Sequence, residues 1–62
     1  MTFTIGQTFT LTKEVNGVTY VEVAEITKVS AARIIHTWTV NGKLACKRMV
    51  RSHAEFTRVW VK

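Results

Sequence analysis

The chain has 62 residues, 47% of them hydrophobic, and nine Lys and Arg against four Glu give a net charge of +5. This length fits one small domain spanning residues 1–62, and the apolar content without any proline excludes a disordered chain or a proline-rich linker. Because no apolar run reaches the roughly 18 residues of a membrane helix and the N-terminus lacks a signal-peptide pattern, we expect a small cytoplasmic protein with no membrane partner.

The composition is that of a β protein. Thr, Val and Ile supply 23 of the 62 residues, and β-branched residues are enriched in strands. Near the N-terminus, Phe3, Ile5, Phe9 and Leu11 occupy odd positions, whereas threonines occupy the even positions around them. This period of two predicts one strand, or two collinear strands, with an apolar face, a threonine face and a bend at Gly6–Gln7.

A first hairpin is predicted at Asn16–Gly17, because Asn-Gly favours the type I′ turn of two-residue hairpins. This turn sets Val15 opposite Val18, and the pairing then runs back to Phe9 opposite Ala24. The apolar side chains change phase inside the second strand. We therefore expect a β-bulge or sharp bend near Val23–Ala24, where a strand would round a barrel corner.

A second hairpin is predicted at Asn41–Gly42, with Trp38 opposite Ala45 and His36 opposite Lys47. Residues 30–36 allow a helix as an alternative, because Ser30 is a good N-cap. The strand is favoured there, since the isoleucines and threonines that follow are poor helix formers and the turn requires a strand before it.

The end of the chain has the Ser-x-x-Glu spacing of a capping box, at Ser52 and Glu55. With few residues remaining, this spacing predicts a single helical or 3₁₀ turn. Alternation resumes over residues 56–61 and predicts a last strand. The complete pattern is all-β, a five-stranded antiparallel meander that closes into a small barrel, with the turn before the last strand.

This order of elements resembles an SH3-like barrel, including its Tudor-like and KOW-like relatives. The resemblance covers the whole chain, is based on element order alone, and implies a barrel fold without implying any partner. The alternative architecture is an open, strongly curved sheet that completes its core by dimerisation.

Charge is distributed unevenly along the chain. Residues 1–31 carry a net charge of −1, whereas residues 32–62 carry +6. Basic and aromatic side chains on a twisted ribbon are typical of phosphate contact with base stacking. The sequence therefore predicts a nucleic-acid-binding protein (DNA or RNA) of low sequence specificity, with these contact residues: Arg33, His36, Trp38, Lys43, Lys47, Arg48 and Arg51.

Other interpretations of the same residues stay open. The charges also suit a solvated surface whose lysines protect sheet edges, and we expect at least one of Trp38 and Trp60 to lie in the core. The alternative function is a protein-binding module, an inhibitor, adaptor or assembly factor of the phage or mobile-element type, that docks on a larger acidic protein by strand addition. A homodimer is compatible with both functions.

Catalysis, cofactors and metals are not expected. Cys46 is the only cysteine, and together with His36 and His53 it lacks the spacing of a zinc site. There is no paired acidic motif and no glycine-rich phosphate loop. The sequence predicts a non-enzymatic protein without a cofactor.

Overall fold

The computed structural model describes residues 2–61, which form one antiparallel sheet and one helix. The strands are β1 (Thr8–Val15), β2 (Val18–Val29), β3 (Arg33–Val40) and β4 (Lys43–Ser52), in the order β1-β2-β3-β4. Helix α1 (His53–Trp60) packs on one face of the sheet. We call this the inner face and the opposite one the outer face.

The first hairpin has the predicted register. Val15 pairs with Val18, and the ladder continues without interruption to Thr8 opposite Glu25. Asn16 and Gly17 have φ values of 52° and 79°, as a type I′ turn requires. The Asn-Gly dipeptide therefore fixes both the turn and the register of β1 on β2.

The predicted bend before β1 is also present, although the residues ahead of it are not a strand. Gly6 has a φ of 90°, and its N–H donates to the Ile26 carbonyl at 2.8 Å. This turn directs Phe3 back onto the inner face, where its ring lies edge-on to Phe56 at 5.3 Å. β1 begins only at Thr8.

Residues 33–40 form a strand, so the helix alternative for this segment is wrong. Ser30 instead closes the β2–β3 connection, because its hydroxyl oxygen accepts from the Arg33 N–H at 3.2 Å. The backbone N–H of Ser30 donates to the Arg33 carbonyl at 2.9 Å. A serine that fits a helix N-cap is therefore used in a turn.

The predicted last strand is wrong, because residues 53–60 are helical. Ser52 caps this helix, accepting from the Glu55 N–H at 3.2 Å, so the capping prediction is confirmed and the predicted single turn extends to two. Phe56 and Trp60 lie four positions apart and are both buried. That spacing puts two side chains on one face of either a strand or a helix, which is why alternation did not distinguish them.

The described residues do not form a barrel. Because the last segment is a helix, no strand in residues 2–61 joins β1 to β4, and the sheet remains open with both as edge strands. The prediction of a mostly β fold, with antiparallel strands that are neighbours in chain order, is confirmed. The predicted five-stranded SH3-like closure is corrected to four strands covered by a helix.

The core lies between α1, the N-terminal turn and the inner face. The Phe56 ring is central to it, with its centroid 5.2 Å from Phe9 and 5.0 Å from His36, both in edge-on geometry. Such aromatic contacts add to the free energy of area burial. The buried hydrophobic residues are Phe3, Ala24, Ile26, Ile34, Phe56 and Trp60.

Candidate nucleic-acid interface

A β-bulge in β2 changes which face its last residues occupy. Ile26 pairs with His36, yet Lys28 pairs with Ile35, so Thr27 is the extra residue. Its hydroxyl donates to the Ile35 carbonyl at 3.2 Å. In a regular strand Lys28 would share the inner face with Ile26, and the bulge moves it to the outer face. The bulge predicted near Val23–Ala24 is absent, because β2 pairs regularly with both neighbours there. The strand is irregular at Thr27 instead.

A second bulge, in β4, lies on the other side of β3. His36 pairs with Met49 and Trp38 with Cys46, so Lys47 and Arg48 together span the single position opposite Thr37. A bulge of this kind places two residues against one on the partner strand.

The predicted pairing of the second hairpin is therefore correct only near its turn. Val40 pairs with Lys43 and Thr39 with Leu44 as expected, and the register then shifts. The predictions that paired Trp38 with Ala45 and His36 with Lys47 are wrong. The bulges after Leu44 add residues to β4 that have no pairing partner on β3.

The two bulges bring three cations together around Ile35. A shallow depression on the outer face is lined by Thr27, Lys28, Ile35, Lys47 and Arg48. We call Lys28, Lys47 and Arg48 the outer-face basic cluster. All three side chains are exposed, and the ion pairs of the described residues involve Lys13 and Arg51 instead. Their charges are therefore directed to solvent.

Two further charged residues lie on the outer face near this cluster. Arg33 is exposed at the start of β3, two residues from Ile35 and on the same face. Glu25 pairs with Thr37 and so lies about 10 Å, two strand spacings, from the cations of β4. That separation is close to the Debye length at physiological salt, so Glu25 weakens the positive potential without pairing a cation.

The seven residues predicted from sequence do not form one surface. Arg33, Lys47 and Arg48 lie on the outer face, whereas Lys43 lies at the β3–β4 turn, at the opposite end of the sheet. The other three, His36, Trp38 and Arg51, line a cleft of about 160 Å³ on the inner face.

Lys28 was not predicted from the sequence, because it lies outside the basic second half of the chain, to which the expected contact residues belong. The pairing of β2 with β3 places Lys28 beside Ile35, close to the cations of β4. The signal that would have found it is the adjacency of β2 and β3, which a meander already implies.

His36 is a core residue, with only 1% of its surface exposed. Its Nδ1 lies 2.7 Å from the Thr37 carbonyl oxygen, so Nδ1 carries the proton that is donated. Nε2 is buried with no hydrogen-bond partner among the described residues. Burial lowers the pKa of His36, the bond to Thr37 opposes this, and the Arg51 charge lowers it further. Such a side chain is not accessible to a nucleic acid.

Trp38 is held in place by an acidic neighbour. Its Nε1 donates to Glu22 Oε1 at 3.0 Å, and Glu22 Oε2 lies 3.1 Å from Lys13 Nζ. The indole is half-buried on the inner face, away from the outer-face basic cluster. Trp60 lies in the core, which confirms that at least one of the two tryptophans is a core residue.

Neither a metal centre nor a membrane helix is found in the described part of the chain. Within residues 2–61, no three His, Cys, Asp or Glu side chains are grouped so that they could hold a metal ion. In that same range the structure has no helix of the length and apolarity needed to cross a bilayer. The outer-face basic cluster is thus the feature with the clearest chemistry.

Comparison of the chain with protein-family models, with curated proteins and with solved structures finds no match. Function is therefore inferred from the geometry of the outer-face basic cluster.

Proposed function

We propose that this is a cytoplasmic, non-enzymatic protein that binds nucleic acid through its outer face, with low sequence specificity. Lys28, Lys47 and Arg48 contact phosphate oxygens, and Arg33 adds a fourth cation at the same end of the sheet. One observation carries the proposal, namely that two bulges flanking β3 gather three cations around Ile35, none of them paired with an acidic side chain of residues 2–61.

Phosphate contact, and not base stacking, fits this surface. Aromatic rings supply stacking in single-strand-binding proteins, and here the aromatic side chains of the described residues lie on the inner face or in the core: Phe3, Phe9, Tyr20, Trp38, Phe56 and Trp60. Helix α1 also packs on the inner face, so it does not present a recognition helix to a groove. Binding that depends on phosphate is largely independent of base sequence.

The test is fluorescence anisotropy with random duplex and single-stranded oligonucleotides over a series of salt concentrations. We expect saturable binding that persists at physiological salt. Lys28→Ala, Lys47→Ala and Arg48→Ala should each weaken binding for all sequences and reduce the slope of log K against log salt by about 1.

Matched controls are Lys43→Ala and Arg58→Ala, which remove the same charge from exposed positions outside the cluster. Their effect on the slope should be clearly smaller. An equal effect of all five substitutions, or binding seen only at low salt, would show that the chain is merely cationic and would refute the proposal.

A second candidate function is favoured by the apolar side chains of the same face. Val21, Leu44 and Val50 are 38%, 59% and 48% exposed on the outer face, and exposed apolar groups beside cations suit a protein-binding module that docks on an acidic protein. The double variant Leu44→Ser with Val50→Ser separates the two functions. It should abolish capture of a protein partner and leave affinity for oligonucleotides unchanged.

A further inference from the structure

The two open edges of the sheet differ in their capacity to pair with another strand. β4 has bulges at Ala45 and at Lys47–Arg48 and carries two further cations, and bulges with basic side chains are the devices by which proteins block edge pairing. β1 pairs with β2 over eight residues without a bulge. Its only charges are Lys13 and Glu14, which cancel.

The turn geometry determines which backbone groups of β1 face its free edge. Val15 and Val18 flank a two-residue turn and therefore form a hydrogen-bonded pair. Hydrogen-bonded and non-hydrogen-bonded pairs alternate along an antiparallel ladder. The N–H and C=O groups directed away from β2 consequently belong to Thr8, Thr10, Thr12 and Glu14. No backbone partner satisfies them within residues 2–61.

We propose that β1 pairs antiparallel with β1 of a second copy of this chain. The two-fold axis of this pair passes between the two Leu11 residues. Thr10 then lies opposite the partner's Thr12, and Glu14 lies opposite the partner's Thr8. This register pairs all four outward residues of each strand and forms roughly eight main-chain hydrogen bonds. The result is a continuous eight-stranded sheet.

The self-complementary register and the absence of net charge on β1 favour a second copy as the occupant of this edge. The whole chain carries +5, so two copies repel least where they meet at a strand with no net charge. In the proposed register no like charges face each other, since Lys13 lies opposite the partner's Phe9. Leu11, half-buried in one copy, meets the partner's Leu11 and extends the inner face across the axis. In most homodimers the same surface patch of each copy forms the interface.

The dimer does not depend on the proposed function. The outer-face basic cluster lies on β2 and β4 and stays exposed in both copies. The two proposals can therefore fail independently. A monomer that binds oligonucleotides would refute only the dimer, and a dimer that does not bind them would refute only the proposed function.

The first test is disulfide cross-linking of Leu11→Cys in a Cys46→Ser background. Non-hydrogen-bonded pairs have Cα atoms about 4.5 Å apart, which a disulfide can span. Mild oxidation should give a cross-linked dimer much faster than it does for Val15→Cys, an exposed control on the same strand and face. Equal rates for the two variants would overturn the proposal.

The second test is sedimentation equilibrium over a wide range of protein concentration. The apparent mass of the wild-type chain should rise toward twice the monomer mass. Thr10→Lys with Thr12→Lys places four cations near the axis and should hold the chain monomeric, whereas Thr4→Lys with Thr19→Lys, which adds the same charge at exposed positions off this edge, should not. A wild-type chain that stays monomeric throughout would overturn the proposal.

Discussion

Trp38 donates its indole N–H to Glu22 at 3.0 Å, and Glu22 is only 9% exposed. Lys13 completes the group from β1, with its Nζ 3.1 Å from the other carboxylate oxygen. The three residues join β1, β2 and β3 on the inner face, beside the C-terminal end of α1. The indole N–H and the ammonium group supply the Glu22 carboxylate with the partners that its burial requires.

Loss of the indole donor should destabilise the fold. Trp38→Phe leaves Glu22 Oε1 without that partner, and we expect the free energy of unfolding to fall by about 1–3 kcal/mol, measured by urea denaturation. Lys13→Met should cost less, since the ammonium side of this ion pair is largely exposed. Equal losses in the two variants would contradict this order and mean that the ion pair stabilises the fold as much as the indole hydrogen bond does.

Acid should weaken the fold through His36. Burial lowers its pKa in the folded state below the ordinary value of 6.5, so the unfolded chain takes up the proton at a higher pH. The contribution of His36 to stability is therefore complete above pH 6.5 and declines as the pH falls from there to the folded-state pKa. Urea titrations at a series of pH values should show this decline.

The matched variant is His36→Asn, whose side-chain amide can still donate to the Thr37 carbonyl. Because it does not titrate, its stability should vary less between about pH 7.5 and pH 5.5 than that of the wild type. An unchanged pH profile would mean that another group is responsible.

The two Asn-Gly turns should respond differently to the same substitution. Both asparagines have positive φ, 52° at Asn16 and 50° at Asn41, and glycine adopts that conformation freely. Only Asn41 also accepts from the Val21 N–H, at 2.8 Å. We expect Asn41→Gly to lower the free energy of unfolding by about 1 kcal/mol more than Asn16→Gly. Thermal unfolding of both variants would refute this if the losses were equal.

The helix cap offers a further measurement. Ser52→Ala removes the acceptor for the Glu55 N–H and should cost about 1 kcal/mol, whereas Ser52→Asp should keep most of the stability because aspartate is also a good N-cap. Chemical denaturation compares the three chains. If alanine and aspartate were equally destabilising, the hydroxyl would be acting through some contact other than the cap.

The parts of the fold that were predictable are those set by local chemistry. Asn16–Gly17 determines its own turn and, through the strict period of strands, every pair from Val15 to Thr8. Ser52 likewise marks the start of α1. In each case neighbouring residues carry the information, so no knowledge of distant packing is needed.

The last segment and the second hairpin depended on tertiary packing. Residues 56–61 alternate like a strand, but the inner face needs a cover, and a helix that buries Phe56 and Trp60 provides it. The bulges of β4 leave no mark in the pattern of residue types, because apolar and basic residues occur on both of its faces. Register beyond Leu44 was therefore not determined by the turn.

The candidate site was predictable only in part, since Lys28 was not expected in it. Lys47, Arg48 and Arg33 are exposed on the outer face, whereas His36 is in the core because it packs edge-on against Phe56. A histidine among threonines and isoleucines has no local signal for burial. Which face it occupies is decided by the pairing of β3 with both neighbours.

Because of the bulge opposite Thr37, the number of cations on the outer face depends on the number of residues in this part of β4. Deletion of one residue between Cys46 and Met49 would restore one-to-one pairing with β3 and leave room for a single cation where there are now two. Insertions and deletions in strands are usually harmful because they invert the faces. In this short stretch of β4, deletion of one residue would instead lower the density of positive charge and keep the side chains on either side on their present faces.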